Sequence, residues 1–168
     1  MALLKIIEHP DPRLRTRAQP VAVFTPQLAR LVEEMFETMY AARAIGLAAT
    51  QVDVHQRLLV ADVSADQRAP ELFINPEIVS CSRPGMVEES CLSVPGIVAS
   101  VERATRVRVR AVDRAGQVYE RAVEDLLAVC LLHEVDHLDG QLFIDRLPFL
   151  ERMRVRQKLK AIGKRRAG

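Results

Sequence analysis

The 168-residue chain lacks the features of a disulfide-stapled or membrane protein. It has three cysteines, an odd number that argues against a disulfide framework and fits a reducing cytoplasm, where a thiolate survives. No apolar run approaches the length of a membrane span, and the N-terminus lacks the apolar core of a signal peptide. A cytoplasmic protein without membrane contact is therefore expected. There are no repeats, linkers or low-complexity tracts. The net charge of +2 is too small to read globally, and no DNA partner is expected, although the charge is unevenly spread. What remains is ordinary for a globular protein: 49% hydrophobic and 27% charged residues, enough for a real core in one domain spanning residues 1–168. A monomer is expected.

One stretch stands out against that plain background: His133-Glu134-Val135-Asp136-His137. On an α-helix, positions four apart share one face, roughly 6 Å apart along the axis. Two imidazoles there can converge on one divalent ion, with Glu134 beside them to take a proton from water. This H-E-x-x-H pattern is a known zinc-hydrolase signature. A tetrahedral ion still needs a third protein ligand. A third histidine would be due three residues after Gly140, but Phe143 stands there, and the one downstream glutamate, Glu151, opens a strongly basic segment. The ligand is therefore sought upstream, among Cys81, Cys91 and Cys130. Cys130 shares the histidine face but sits roughly 7 Å below the midpoint of the pair, beyond the reach of a short side chain. Cys81 lies in a plain polar segment. Cys91, within the turn-rich stretch Glu88–Gly96, is the chosen third ligand, although a lone cysteine is often just a small buried hydrophobe.

Three blocks together resemble the motifs of the peptide deformylase family, in order and spacing. They are Ala44-Ile45-Gly46-Leu47-Ala48-Ala49-Thr50-Gln51, Glu89-Ser90-Cys91-Leu92-Ser93, and His133 to Gly140. The resemblance, to the bacterial type 1 group, covers almost the whole chain. It includes His9-Pro10-Asp11-Pro12-Arg13-Leu14-Arg15, Asn75-Pro76 and Leu142-Phe143-Ile144-Asp145. The family usually has Gly at the positions of Ala44 and Ser90, and Gln at that of Leu132. None of the three is a ligand or the base.

The resemblance implies a metal-dependent hydrolase that removes the N-formyl group from N-formyl-methionyl nascent peptides and releases formate. Metal ligands would be Cys91, His133 and His137, with Glu134 as general base. The Gln51 side-chain amide and the Leu92 backbone N–H would stabilise the oxyanion. Ferrous iron is the implied metal in the cell, with zinc, nickel or cobalt as replacements. Ile45, Gly46, Leu126, Val129 and Cys130 lie beside motif residues and are candidates for the methionine pocket, although each also suits a plain core position. Two other readings remain at this stage: a zinc peptidase cutting internal bonds, and a non-catalytic basic binding module.

The elements fit an α+β fold, with antiparallel β-sheets around a central metal-binding helix and an additional C-terminal helix. Residues 8–20 read as an irregular arm. Thr25-Pro26 is a cap followed by proline at the first helical position, and Leu28, Leu31, Val32, Met35 and Met39 follow at helical spacing. Strands are expected at 58–63 and 72–79, and a hairpin pairs 105–112 with 117–123 across Asp113-Arg114-Ala115-Gly116. The arginines of that hairpin suit a solvated face. Helices are expected at 123–138 and at about 148–166. From Glu151 to Gly168 there are eight Lys or Arg and a single Glu, with Leu150, Met153, Val155, Leu159 and Ile162 as an incomplete apolar stripe. Such a run is usually a solvated face; beside the resemblance, it suggests a contact with ribosomal RNA.

Overall fold

A computed structural model describes residues 3–167. Three α-helices, α1 (Pro26–Ala41), α2 (Asp125–Leu138) and α3 (Phe149–Ala167), accompany five strands: β1 (Gly46–Ala48), β2 (Leu58–Ala61), β3 (Glu71–Ser90), β4 (Val98–Val112) and β5 (Val118–Glu124). The strands form one antiparallel meander in the order β1-β2-β3-β4-β5, so the sheets expected from sequence are a single continuous ladder.

Side-chain alternation explains how the sheet is covered. In β2 all four residues are buried, because both faces are covered. Leu58 and Val60 face α1, packing with Val32, Met35 and Met39. Leu59 faces the other way, with Phe73, Val107 and Val109, against Ala128, Leu131 and Val135 of α2. A third cluster joins Val94, Ile97 and Val101 to Leu142, Phe143, Ile144 and Val155, seating the start of α3 beneath the β3–β4 turn. The catalytic-motif helix thus lies inside the molecule, with its base on the sheet.

The local signals explain the helix ends. Thr25 Oγ1 accepts from Leu28 N at 3.1 Å, with Pro26 opening α1. Beyond α2, Gly140 takes φ +74°, and a Cβ there would lie 2.5 Å from the Arg15 carbonyl oxygen, so only glycine lets the chain turn under the N-terminal arm. That arm, read as irregular, contains one short 3-10 turn, Pro12–Arg15, whose N-cap Asp11 accepts from Arg13 N.

Boundaries shift in several places. β3 runs for 20 residues, far beyond the expected 72–79, and it absorbs Glu88–Ser90, which were expected in a turn. Cys91 opens the turn that follows. β4 begins at Val98 instead of 105, and α2 begins at Asp125 instead of 123, which leaves Val123 in the hairpin strand as also expected and adds Glu124 to it. Arg106, Arg108 and Arg110 are exposed, and the last two pair with Glu120, as a solvated face requires. On α3 the apolar stripe divides: Val155 is buried and Leu159 and Ile162 are partly buried, whereas Leu150 and Met153 are exposed at 68% and 44%.

Candidate active site

The helical spacing of α2 sets His133 and His137 one turn apart, with ring centroids separated by 5.0 Å. Cys91, held where β3 ends, brings Sγ to 3.2 Å from His137 Nε2. One ligand atom from each of Cys91, His133 and His137 lies within 4.8 Å of the other two. Cys130 is outside that cluster: its thiol faces the Ile45 carbonyl at 3.5 Å, and Cys81 is exposed on β3.

The donors fit a divalent cation in chemistry as well as position. Burial holds His137 well below the usual histidine pKa, the direction that favours the neutral ring a metal would need. Its buried Nδ1 has no hydrogen-bond partner. His133 is oriented from behind by Glu89, whose Oε1 lies 2.8 Å from Nδ1, while Phe143 stacks on the ring at 5.9 Å. Burial disfavours charge on His133, but its hydrogen bonds to Cys91 and Glu89 outweigh that and raise its pKa well above the ordinary value. Three protein donors would hold such an ion and leave one position of a tetrahedral set for water.

Glu134 projects from the same turn of α2 into the site. Burial pushes its pKa up to about 7, against the pull of the neighbouring His133 imidazole. Its Oε2 is buried without a hydrogen-bond partner. The reason Gly46 is glycine lies here: a Cβ would meet Cys130 Sγ at 2.6 Å and Glu134 Oε1 at 2.9 Å. Gln51, in the 3-10 turn Ala49–Val52, is fully pinned. Its Oε1 accepts from Ala48 N at 2.9 Å, and Nε2 donates to Ser93 Oγ at 3.1 Å and lies 3.7 Å from Cys91 Sγ. It is thus both a loop cap and a donor aimed at the site.

A cavity of about 710 Å³ opens over these groups. Gln51, Cys91, Leu92, His133 and Glu134 line it, as do the five expected pocket residues Ile45, Gly46, Leu126, Val129 and Cys130. Val129 and Cys130 are buried, whereas Ile45 and Leu126 are about half exposed. His137 is 1% exposed and does not line the cavity. Ala44 and Ser90 do line it, and neither adopts the positive φ that would favour glycine. Leu132 packs against the core cluster of α2 and the sheet.

Sequence reasoning missed the buried ion pairs behind His133. Arg103 forks onto Glu89 through Nε at 2.6 Å and Nη2 at 3.0 Å, and reaches Asp136 through Nη1 at 2.8 Å. All three are at most 6% exposed. The missing signal was parity: Arg103 shares the inward face of β4 with Val101, Val107, Val109 and Ala111.

A helix-borne H-E-x-x-H, a cysteine beside both histidines and a cavity over them are the features of a metal-dependent hydrolase. Comparison with known proteins specifies the kind. The family profile for polypeptide deformylase matches residues 3–153. The chain is 54% identical over 168 residues to a peptide deformylase of Hahella chejuensis, covering 99% of this chain and 100% of that one. It is also 54% identical to one of Azotobacter vinelandii, covering 95% of each. Among solved structures, a peptide deformylase from Legionella pneumophila superposes with a TM-score of 0.90 at 47% identity, covering 99% of this chain and 98% of that one. One from Ehrlichia chaffeensis in complex with actinonin gives 0.88 at 37% identity, covering 96% and 98%. The chain belongs to the polypeptide deformylase family.

Proposed function

We propose that the cavity over Cys91, His133 and Glu134 is where this chain acts as a peptide deformylase. It hydrolyses the N-formyl group of N-terminal formyl-methionine on newly synthesised proteins, releasing formate and a free amine. The observation that supports this most is the convergence of Cys91 Sγ and the two imidazoles within 4.8 Å at the base of a cavity that Glu134 also lines.

Cys91, His133 and His137 would hold one divalent ion, which when bound acidifies water and polarises a carbonyl. Glu89 takes the Nδ1 proton of His133 in a hydrogen bond, which leaves Nε2 free to coordinate. Glu134 takes a proton from the attacking water, and the oxygen adds to the formyl carbon. The oxygen of the former carbonyl then carries negative charge, met by the Gln51 amide and the Leu92 N–H. Glu134 returns the proton to the nitrogen as the C–N bond breaks. Val129 and Cys130 form the buried wall against which the methionine side chain packs, and Ile45, Gly46 and Leu126 frame its entrance.

One thiolate and two imidazoles suit ferrous iron in the cell, with zinc, nickel or cobalt as replacements. The protein works as a cytoplasmic monomer of one catalytic domain. Among the described residues no helix is long and apolar enough to cross a membrane. Arg154, Lys158, Lys164 and Arg165 are exposed on α3 and offer a basic face to ribosomal RNA. The test is formate release by protein purified and loaded with Fe(II) without oxygen, assayed on formylated and acetylated methionyl peptides side by side. Formate from the first and no turnover of the second is expected. Cleavage of internal peptide bonds, or no formate at all, would refute the reading.

A further inference from the structure

Behind the metal-binding helix, the ion pairs continue one residue further, to Arg146 in the 3-10 turn Phe143–Arg146. Arg146 grips Asp136 with both oxygens engaged, Nε to Oδ2 at 2.7 Å and Nη2 to Oδ1 at 2.7 Å. The chain therefore runs Arg146–Asp136–Arg103–Glu89–His133, ending on the imidazole nitrogen that faces away from the cavity. We infer that Arg146 is a positioning residue for His133: by saturating Asp136 it leaves the Arg103 fork to Glu89, which holds the ring. This rests on the metal-site reading above and extends it to a residue outside the cavity.

Charge balance and hydrogen-bond geometry carry the argument. Two guanidinium groups face two buried carboxylates, Glu89 and Asp136, so the unit is neutral. Without Arg146, Arg103 alone would serve both carboxylates. Asp136 is 5% exposed, and a buried carboxylate deprived of its partner draws strongly on any remaining cation. Arg103 now gives Asp136 one N–H and Glu89 two. Pulling it toward Asp136 breaks that fork and frees Glu89, the orienting partner of His133. Asp136 also lies between His133 and His137 on α2, so holding it fixes the turn bearing both imidazoles.

Arg146 suits substitution because its side chain is 46% exposed. It lines, with Arg103, a shallow surface pocket of about 490 Å³. Removing it admits water to Asp136 from that side instead of leaving a sealed void, so the effect is graded.

The experiment follows release of Co(II) to excess chelator, by loss of the thiolate–cobalt absorption, well below the unfolding temperature. Loss of a partner orienting a metal ligand typically weakens metal binding 10–100-fold, and Arg146 acts through two further groups, so Arg146→Ala should release cobalt about 10-fold faster than wild type. Arg146→Lys, which keeps the charge but cannot bridge both oxygens, should fall between them and serves if the alanine variant does not fold. Arg121→Ala breaks a comparable pair with Glu71 on the sheet surface and should stay within about twofold. Glu89→Gln keeps one acceptor for His133 but cannot take the two-oxygen Arg103 fork, so it cuts the relay at that point, and adding Arg146→Ala to it should change release less than about twofold. Release from Arg146→Ala, or from Arg146→Lys in its place, at the rate of Arg121→Ala would overturn the inference. So would effects of Arg146→Ala and Glu89→Gln that simply multiply. If wild type takes up no cobalt, the metal reading fails and the inference with it.

Discussion

The closest approach in the site is also its most exacting test. Gly46 lies so near α2 that a methyl group at its Cβ position would sit 2.6 Å from Cys130 Sγ, 2.9 Å from Glu134 Oε1 and 3.1 Å from Glu134 Cγ. Non-bonded carbon contacts are comfortable at roughly 3.5–4.0 Å, so Gly46→Ala forces Cys130 back by about 1 Å and Glu134 by about half that. Cys130 is buried in α2 and has little room. Overpacking of this kind costs about 1–3 kcal/mol, which for a domain of this size lowers Tm by roughly 2–4 °C per kcal/mol. The larger effect should fall on turnover, because a misplacement of about 1 Å can cost about 10²-fold and Glu134 is displaced by about half of that. We expect kcat to fall about 10–100-fold while metal content stays at the wild-type level, since Cys91, His133 and His137 are untouched. Gly46→Ala combined with Cys130→Ala should recover part of the lost stability, because the tighter of the two clashes is gone. Formate release, metal stoichiometry and thermal unfolding on the same preparations give the answer. Turnover within twofold of wild type, at an unchanged Tm, would refute the packing argument.

Two further predictions concern the cysteines and the basic face of α3. Cys91→Ser should lose most bound metal, while Cys81→Ser and Cys130→Ser keep theirs, as metal analysis of oxygen-free preparations will show. Charge reversal at Arg154, Lys158, Lys164 and Arg165 should weaken co-sedimentation with ribosomes, which should itself fall steeply as salt rises, and leave activity on a short formylated peptide unchanged. Binding indifferent to both salt and charge would return α3 to a purely structural role.

The parts of this protein that could be read from sequence are those set by local rules. The pairing of His133 and His137 depends only on helical spacing, and the start of α1 on the Thr25–Pro26 cap. Cys91 as partner to the histidines followed from elimination along a short list, and the structure brings its Sγ beside His137. The misreadings arose where neither local rule applied. Residues Ser80–Pro84 of β3 are exposed on both faces, so no apolar alternation marked them as strand. β1 is three residues within a Gly-Leu-Ala-Ala run, too short to show a period. Arg103 fell outside the strand expected at 105–112; its position is odd-numbered where the exposed Arg106, Arg108 and Arg110 are even, and the odd face is the buried one. Its partners Glu89 and Asp136 are distant in sequence, and Arg146 is reached only through the fold.

The central claim is that Glu134 moves the proton at a metal site built by other residues. Glu134→Gln tests it most directly, because the substitution preserves shape and leaves Cys91, His133 and His137 in place. Metal content and single-turnover formate release are measured on one preparation of the variant beside wild type. The account predicts full metal occupancy with turnover lowered by at least about 10²–10⁴-fold, the usual worth of a general base. A fully loaded Glu134→Gln protein that releases formate within a few-fold of the wild-type rate would contradict it.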